Sequence, residues 1–121
     1  MSIKQQVHEK FKVFVGSDVA DVDTQLRAFT AGGRVASKSI GIEYIEGSNR
    51  LLLSLGYRPD EMGYAVKLES RKLGSFDPNS SASISALEAS LDAAAAANDD
   101  VICHELYVAG GAVTAVLLTL A

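Results

Sequence analysis

The stretch from Ser39 to Ser70 constrains the fold most, because its large apolar side chains recur at every second position. Side chains with this period lie on one face of a β-strand. Turn-forming residues, among them Gly47, Pro59 and Gly63, separate three such runs. The alternating residues are Ile40, Ile42 and Tyr44, then Leu51, Leu53, Leu55 and Tyr57, and finally Tyr64, Val66 and Leu68. The stretch therefore predicts a three-stranded antiparallel meander with one apolar face.

Parity predicts the register of this meander. Residues directly opposite each other on antiparallel strands share a face, so only an even-length connection sets apolar residues against apolar residues. A two-residue turn at Gly47-Ser48 or Ser48-Asn49 meets this condition, and the second connection would place Tyr57 opposite Tyr64. The other face is expected to meet solvent or a partner, and it would carry Gly41, Glu43, Ser54, Gly56, Ala65, Lys67 and Glu69.

The residues before the meander predict a strand and then a helix. Residues 10–15 alternate Phe11, Val13 and Val15 with Lys10, Lys12 and Phe14. From Val19 to Phe29 the apolar residues recur at helical spacing instead. Asp21 or Asp23 is expected to cap this helix, and Gly32-Gly33 is expected to end it.

A second helix is predicted after the meander. Ser81, Ser83 and Ser85 are alternative N-terminal caps, the last through a capping box. The alanine run 93–97 has high helix propensity, and Asn98 is expected to cap the C-terminal end. The apolar positions form one narrow stripe, which consists of Ile84, Leu87, Leu91, Ala94 and Ala95.

The C-terminal stretch predicts a β-hairpin around Gly110-Gly111, because glycines accept the positive φ angles of a tight primed turn. Both faces of this hairpin are largely apolar, so it needs cover on two sides. A central place in a sandwich or barrel would provide that cover, and so would a second subunit, which is the favoured hypothesis. One face would carry Ile102, His104, Leu106, Val108, Val113, Ala115, Leu117 and Thr119, and the other Val101, Cys103, Glu105, Tyr107, Thr114, Val116, Leu118 and Leu120.

The order of these elements, β-α-β-β-β-α-β-β, predicts an α+β fold. Two helices would pack on one face of a mostly antiparallel sheet. A chain of 121 residues has the size of one domain and can bury a core without metals or disulfides, so residues 1–121 are expected to form a single domain. No internal repeat is evident in the sequence.

Composition excludes several classes of function. The net charge of -4 and the lack of a basic run argue against nucleic-acid binding. The one cysteine cannot form an internal disulfide, and no secretory signal is recognisable, so a reducing cytoplasm is the expected location. Residues 101–121 are the best candidate for a membrane span, but His104, Glu105 and Gly110-Gly111 interrupt them. Two histidines and one cysteine give no zinc spacing, and no metal or cofactor is expected.

The densest group of reactive side chains is Cys103-His104-Glu105. Neighbours on a strand point to opposite faces, so His104 would need partners from elsewhere in the fold. A small hydrolase or isomerase with His104 as general acid or base, assisted by Glu105 or Glu43, is therefore one alternative. Packing of His104 in a core or interface, with Cys103 as a small apolar residue, is the more common role for such side chains.

A second candidate group lies in the turn between Tyr57 and Tyr64. Arg58, Asp60 and Glu61, flanked by the two phenols, could orient a small polar ligand. The same residues are also ordinary turn chemistry with a surface ion pair. A small-ligand binder that uses Tyr57, Arg58, Asp60 and Tyr64 is the third hypothesis.

The sequence favours a cytoplasmic homo-oligomer that acts by binding and not by catalysis. Its interface would be the C-terminal hairpin, residues 101–120, because this segment has more apolar surface than one domain readily covers. The small-residue face of the meander would be a docking surface for a further partner. The substrate, ligand and pathway do not follow from these residues.

Overall fold

The computed structural model describes residues 9–31, 36–97 and 100–121. The described chain is an α+β fold of two helices and six strands in antiparallel sheets, and it confirms the predicted order β-α-β-β-β-α-β-β. The elements are β1 (Lys10–Gly16), α1 (Val19–Thr30), β2 (Ala36–Ile45), β3 (Arg50–Arg58), β4 (Val66–Ser75), α2 (Ser81–Ala96), β5 (Val101–Ala109) and β6 (Ala112–Leu120).

The strands form two three-stranded antiparallel sheets. Sheet A has the order β1-β3-β2 and sheet B has the order β4-β6-β5. The predicted meander is therefore wrong at its third strand, because β4 leaves sheet A and pairs with β6. Tyr57 lies opposite Lys10 and Ser37, and not opposite Tyr64. Both the predicted and the observed arrangement satisfy the parity rule. The rule therefore does not decide whether β1 or β4 pairs with the free edge of β3.

The register of the β2–β3 hairpin follows the parity argument. Ile40 lies opposite Leu55, Ile42 opposite Leu53 and Tyr44 opposite Leu51. The turn between the strands spans four residues, 46–49, so it is even in length although longer than the expected two-residue turn. Asn49 takes a positive φ of 53° there.

The chain contains a structural repeat that the sequence did not reveal. A β-α-β-β unit occurs twice, and in each unit the last strand lies between the other two. The two units differ in helix length, 12 residues in α1 and 16 in α2, and in most side chains, so their likeness lies in strand order and register.

The core lies between the two sheets. The inward residues of β3 are fully buried, and they pack with the inward residues of β4 and β6 and with α1. The buried cluster consists of Phe14, Val22, Leu26, Ile40, Leu51, Leu53, Leu55, Val66, Leu68, Val116 and Leu118. On β1 the inward side chain is Phe14, and the alternating residues Phe11, Val13 and Val15 are exposed.

Helix α1 closes the open side between the sheets. Its N-cap is Asp18, whose side chain accepts a hydrogen bond from the Asp21 backbone N–H at 2.8 Å. The expected caps Asp21 and Asp23 are therefore wrong. The Asp21 carboxylate instead accepts a hydrogen bond from the Ser17 backbone N–H at 3.0 Å. The Asp23 carboxylate bonds to the Leu68 backbone N–H of β4. The predicted end at Gly32-Gly33 lies outside the described residues.

Polar side chains of α1 bond to the edges of both sheets. The Asp23 carboxylate accepts from the Leu68 backbone N–H at 2.8 Å, and the Thr30 hydroxyl accepts from the Val66 N–H at 3.4 Å. The Gln25 side-chain amide donates to the Val15 carbonyl oxygen at 3.0 Å. Because an unpaired strand edge is a template for aggregation, these polar side chains protect β4 as a neighbouring strand would.

Helix α2 lies on the far side of sheet B. Its N-cap is Ser80, whose hydroxyl accepts from the Ser83 N–H at 3.2 Å, so the three expected serine caps are wrong. Ala94 is buried and lines a cleft of about 270 Å³ with Leu117 of β6. Small residues at the end of the helix thus let it lie close to the sheet. The expected C-terminal cap Asn98 lies outside the described residues.

The C-terminal hairpin has the predicted turn and register. Gly110 and Gly111 have φ angles of 59° and 76°, and Val108 lies opposite Val113. From Cys103 to Leu118 the two faces carry the predicted sets of side chains, but an irregularity between Val101 and Cys103 sets Val101 opposite Thr119, which was expected on the other face. One face contributes to the core, and the other points away from sheet A.

Candidate functional site

The outer face of β5 carries an exposed apolar strip. Ile102, Leu106 and Val108 are 40%, 36% and 59% exposed, and His104 is exposed between them. We call these four residues the β5 strip. The outward residues Val113, Ala115 and Leu117 of the adjacent strand β6 are buried, so the uncovered part of the predicted interface is confined to β5.

The structure does not assemble a catalytic group around His104. Glu105 lies opposite Val116 and points to the other side of the sheet, and Glu43 lies on β2 opposite Leu52. Within residues 9–31, 36–97 and 100–121, neither carboxylate makes a hydrogen bond or ion pair with His104. The residues proposed for general acid-base chemistry therefore occupy three separate places.

The inward side of β5 packs against β2. The Cys103 side chain packs against the core, and Tyr107 stacks on Tyr44 with 6.4 Å between ring centroids. Burial raises the pKa of the Cys103 thiol, a hydrogen bond with the Ile40 backbone opposes this, and the nearby charge of Glu105 adds to it. A thiol held in its neutral form is a poor nucleophile, in agreement with a packing role for Cys103.

The four residues proposed as a ligand-binding turn do not converge. Tyr57 points into the protein, where its ring contacts Phe29 edge-on at 5.2 Å. Tyr64 is 73% exposed on the outside, and Asp60 is exposed as well. Arg58 is bound in an ion pair, with Nη1 at 3.1 Å from Glu61 Oε2.

Glu61, predicted only as one of the two carboxylates of this turn, is the centre of the region. Its other carboxylate oxygen, Oε1, lies 2.7 Å from Lys38 Nζ. The hydrogen bond from Lys38 lowers the pKa of Glu61, and the charges of Lys38 and Arg58 add to that effect. Lys38 is 23 positions away in the chain, at an irregularity in the β2–β3 pairing, so no local pattern could have linked it to Glu61.

A cleft of about 180 Å³ opens beside this ion-pair cluster. It lies between the beginning of β2, the segment 61–64, the beginning of β5 and the end of β6. The residues that line it are Ala36, Ser37, Lys38, Glu61, Met62, Gly63, Tyr64, Val66, Ile102 and Leu120. Of the residues considered for the ligand-binding turn, Glu61 and Tyr64 line this cleft.

The expected small-residue docking face is divided between the sheets, so it is wrong as a single surface. Gly41 and Ser54 lie opposite each other on sheet A, whereas Lys67 and Glu69 lie on β4 of sheet B. The division follows from the departure of β4 from the predicted meander. A second apolar strip, Phe11, Val13 and Val15, is exposed on β1 instead.

The described residues offer neither a metal site nor a membrane-spanning helix. No group of three or more His, Cys, Asp or Glu in the described part of the chain is placed to hold a metal ion. Over the same residues, neither helix has the length and apolar character needed to cross a membrane.

Comparison with known proteins gives no functional assignment. No protein-family model, curated protein or solved structure matches the chain. The candidates for function are therefore the β5 strip and the cleft beside Glu61.

Proposed function

We propose that the protein acts by binding as a homo-oligomer, and that its subunits pack through the β5 strip. The observation that carries this proposal is the exposure of three large apolar side chains, Ile102, Leu106 and Val108, on one strand. Contiguous apolar surface of this kind marks interaction sites on soluble proteins more often than scattered single residues do.

The energetics favour burial of the strip. A fully buried Leu, Ile or Val side chain is stabilised by about 1.5–3 kcal/mol relative to an exposed one. Because the three side chains are between 36% and 59% exposed, a contact that covers them would recover roughly half of that for each. In a twofold contact each strip would meet the same strip of a second copy, so every contribution would count twice.

The surroundings of His104 favour binding over catalysis. A general acid or base acts with a partner within hydrogen-bond reach, or through one water. Glu105 points to the opposite side of the sheet, and Glu43 makes no bond to His104 among the described side chains. In the proposed contact, the His104 imidazole lies at the centre of the interface as a packing residue.

The proposal includes a location in a reducing compartment. A single cysteine with a thiol pKa raised by burial needs no oxidising environment, and the cytoplasm agrees with this chemistry.

Sedimentation velocity across the micromolar concentration range tests the interface. The wild type is expected to sediment as an oligomer, and Leu106→Asp and Val108→Asp are expected to sediment as monomers, because each would bury an unpaired carboxylate in the contact. Val13→Asp is the matched control, since Val13 is a similarly exposed strand residue on β1 and lies outside the strip.

Circular dichroism of each variant separates loss of assembly from loss of folding. A wild type that stays monomeric throughout the range would contradict the proposal. Dissociation by Val13→Asp together with an intact Val108→Asp oligomer would instead assign the interface to β1.

A further inference from the structure

The cleft beside Glu61 has one apolar side. Its floor is formed by Val66, which is 1% exposed, together with Leu120 and Ile102. Met62 and Tyr64 stand at the mouth and are 78% and 73% exposed. Large side chains in this position can fold over a bound apolar group and gain the burial that they lack in the free protein.

The opposite side of the cleft is polar and incompletely bonded. The Ser37 hydroxyl oxygen is buried and has no hydrogen-bond partner among the residues that the structure describes. A buried polar group left unsatisfied destabilises the folded protein, so a ligand atom that bonds to it would remove that penalty. Ser37 therefore indicates that the polar wall is built to receive a partner.

Lys38 follows Ser37 and supplies charge to the same wall. Its Nζ donates to Glu61 at 2.7 Å, and an ammonium group has three donors, so two remain for a ligand. Arg58 binds the other oxygen of Glu61, which means that two cations share this one carboxylate. Asp60 is the next carboxylate along the chain, but it does not line the cleft. Arg58 does not line the cleft either, so the charges of the wall are Lys38 and Glu61, which pair with each other. It is the two remaining N–H donors of Lys38 that favour a ligand with acceptor atoms, such as a carboxylate.

We propose that this cleft binds a small monocarboxylate with a short apolar chain or ring. The carboxylate accepts hydrogen bonds from Ser37 Oγ and Lys38 Nζ, and the apolar part lies on Val66, Ile102 and Leu120. A volume of about 180 Å³ limits the ligand to one smaller than the drug-sized molecules that fill pockets of about 300–1,000 Å³. The site differs from the predicted turn site, since Tyr57 and Arg58 do not line it.

A titration followed by amide chemical shifts tests the site, with phenylacetate as the probe. Saturable shifts are expected at Ser37, Lys38, Gly63 and Val66. Phenylacetamide, which has no charge, and phenethylamine, which has the opposite charge, have nearly the same shape and are expected to bind at least tenfold more weakly. Equal binding of the three molecules, or no saturation with phenylacetate, would overturn the proposal.

Variants of the polar wall test the two hydrogen bonds. Ser37→Ala and Lys38→Gln are each expected to weaken phenylacetate binding about tenfold, as befits a hydrogen bond to a charged group. Lys67→Gln is the control, because Lys67 is a partly exposed lysine of β4 outside the cleft. Wild-type affinity in Ser37→Ala would contradict the assignment of the carboxylate position.

One residue, Ile102, belongs to both the cleft and the β5 strip, so the titration is repeated with Val108→Asp. This variant leaves the cleft unchanged and is expected to bind phenylacetate as the wild type does, whatever its oligomeric state. Loss of binding in Val108→Asp would show that the ligand does not bind in the cleft of a single subunit. The proposal for the ligand site and the proposal for the subunit interface can thus be refuted independently of each other.

Discussion

Tyr44 and Tyr107 stack on each other across the junction of the two sheets, with 6.4 Å between ring centroids and 22° between ring planes. They hold equivalent positions in the two β-α-β-β units, because Tyr44 lies opposite Leu51 and Tyr107 opposite Thr114, each seven residues further along. The repeat therefore brings the same side chain of both units together. The contact joins β2 to β5, which run side by side without ladder hydrogen bonds between them.

The tyrosine pair is expected to couple the two units energetically. In a double-mutant cycle with Tyr44→Ala and Tyr107→Ala, the coupling free energy from urea unfolding should be about 1 kcal/mol, since stacked rings contribute beyond their buried area. The Tyr44 hydroxyl also donates to Asn49 at 2.8 Å, and the cycle cancels that contribution. Tyr107→Ala combined with the exposed Tyr64→Ala is the control pair, and additive effects in both cycles would contradict the expectation.

The hydrogen bond from Leu68 to Asp23 is expected to be worth more than the ion pair on the same carboxylate. Asp23→Ala leaves the Leu68 backbone N–H of β4 without its acceptor and should lower the free energy of unfolding by about 2 kcal/mol. Arg27→Ala removes only an exposed partner four residues along the helix, which costs about 0.3–0.5 kcal/mol.

Chemical denaturation measures both variants, and hydrogen exchange reports on the bond itself. The Leu68 amide should exchange faster in Asp23→Ala and remain protected in Arg27→Ala. An equal loss of stability in the two variants would indicate that the ion pair, and not the strand edge, is what Asp23 supports.

The Cys103 thiol is expected to make stability depend on alkaline pH. Its pKa is raised in the folded protein, chiefly by burial, so rising pH ionises the thiol of the unfolded chain first. The free energy of unfolding should therefore fall as pH rises from the ordinary thiol pKa through the raised one, and Cys103→Ala should lack this decline. Alkylation by iodoacetamide should likewise begin at higher pH in the native protein than in urea. Identical alkylation profiles would disprove the shift.

Side-chain period predicted the local structure well, for a physical reason. Ile40, Ile42 and Tyr44 lie opposite leucines because a slip of one residue would turn the apolar face of β2 towards water. The turn at Gly110-Gly111 followed from a backbone conformation that other residues rarely adopt. These features depend on neighbours in sequence, which a single chain displays directly.

The pairing of distant strands did not follow from the same reasoning. The seven residues 59–65 are long enough to carry the chain to another sheet, so nothing local decided between a third meander strand and β4 of sheet B. The burial of Phe14 in place of Phe11 and Val13 depends likewise on which face of β1 meets α1. Both outcomes are set by competition between apolar surfaces in three dimensions.

The candidate sites were predicted unequally. The β5 strip was foreseen as part of an overly apolar hairpin, although β6 proved to be covered on its outer side. The cleft was approached only through Glu61 and Tyr64, because Ser37 and Lys38 of its wall come from a distant strand. Hydroxyl and ammonium groups on an exposed strand carry no signal until the fold shows what lies beside them.

The two β-α-β-β units have one covalent link, the connection 59–65, since the chain's one cysteine forms no cross-link. Neither unit alone could bury the leucine face of its sheet, so each unit covers the apolar face of the other and keeps water from it. Cleavage within that connection would leave two fragments with the same complementary surfaces and no tether. Their reunion would then depend on fragment concentration, as the assembly of an obligate dimer does.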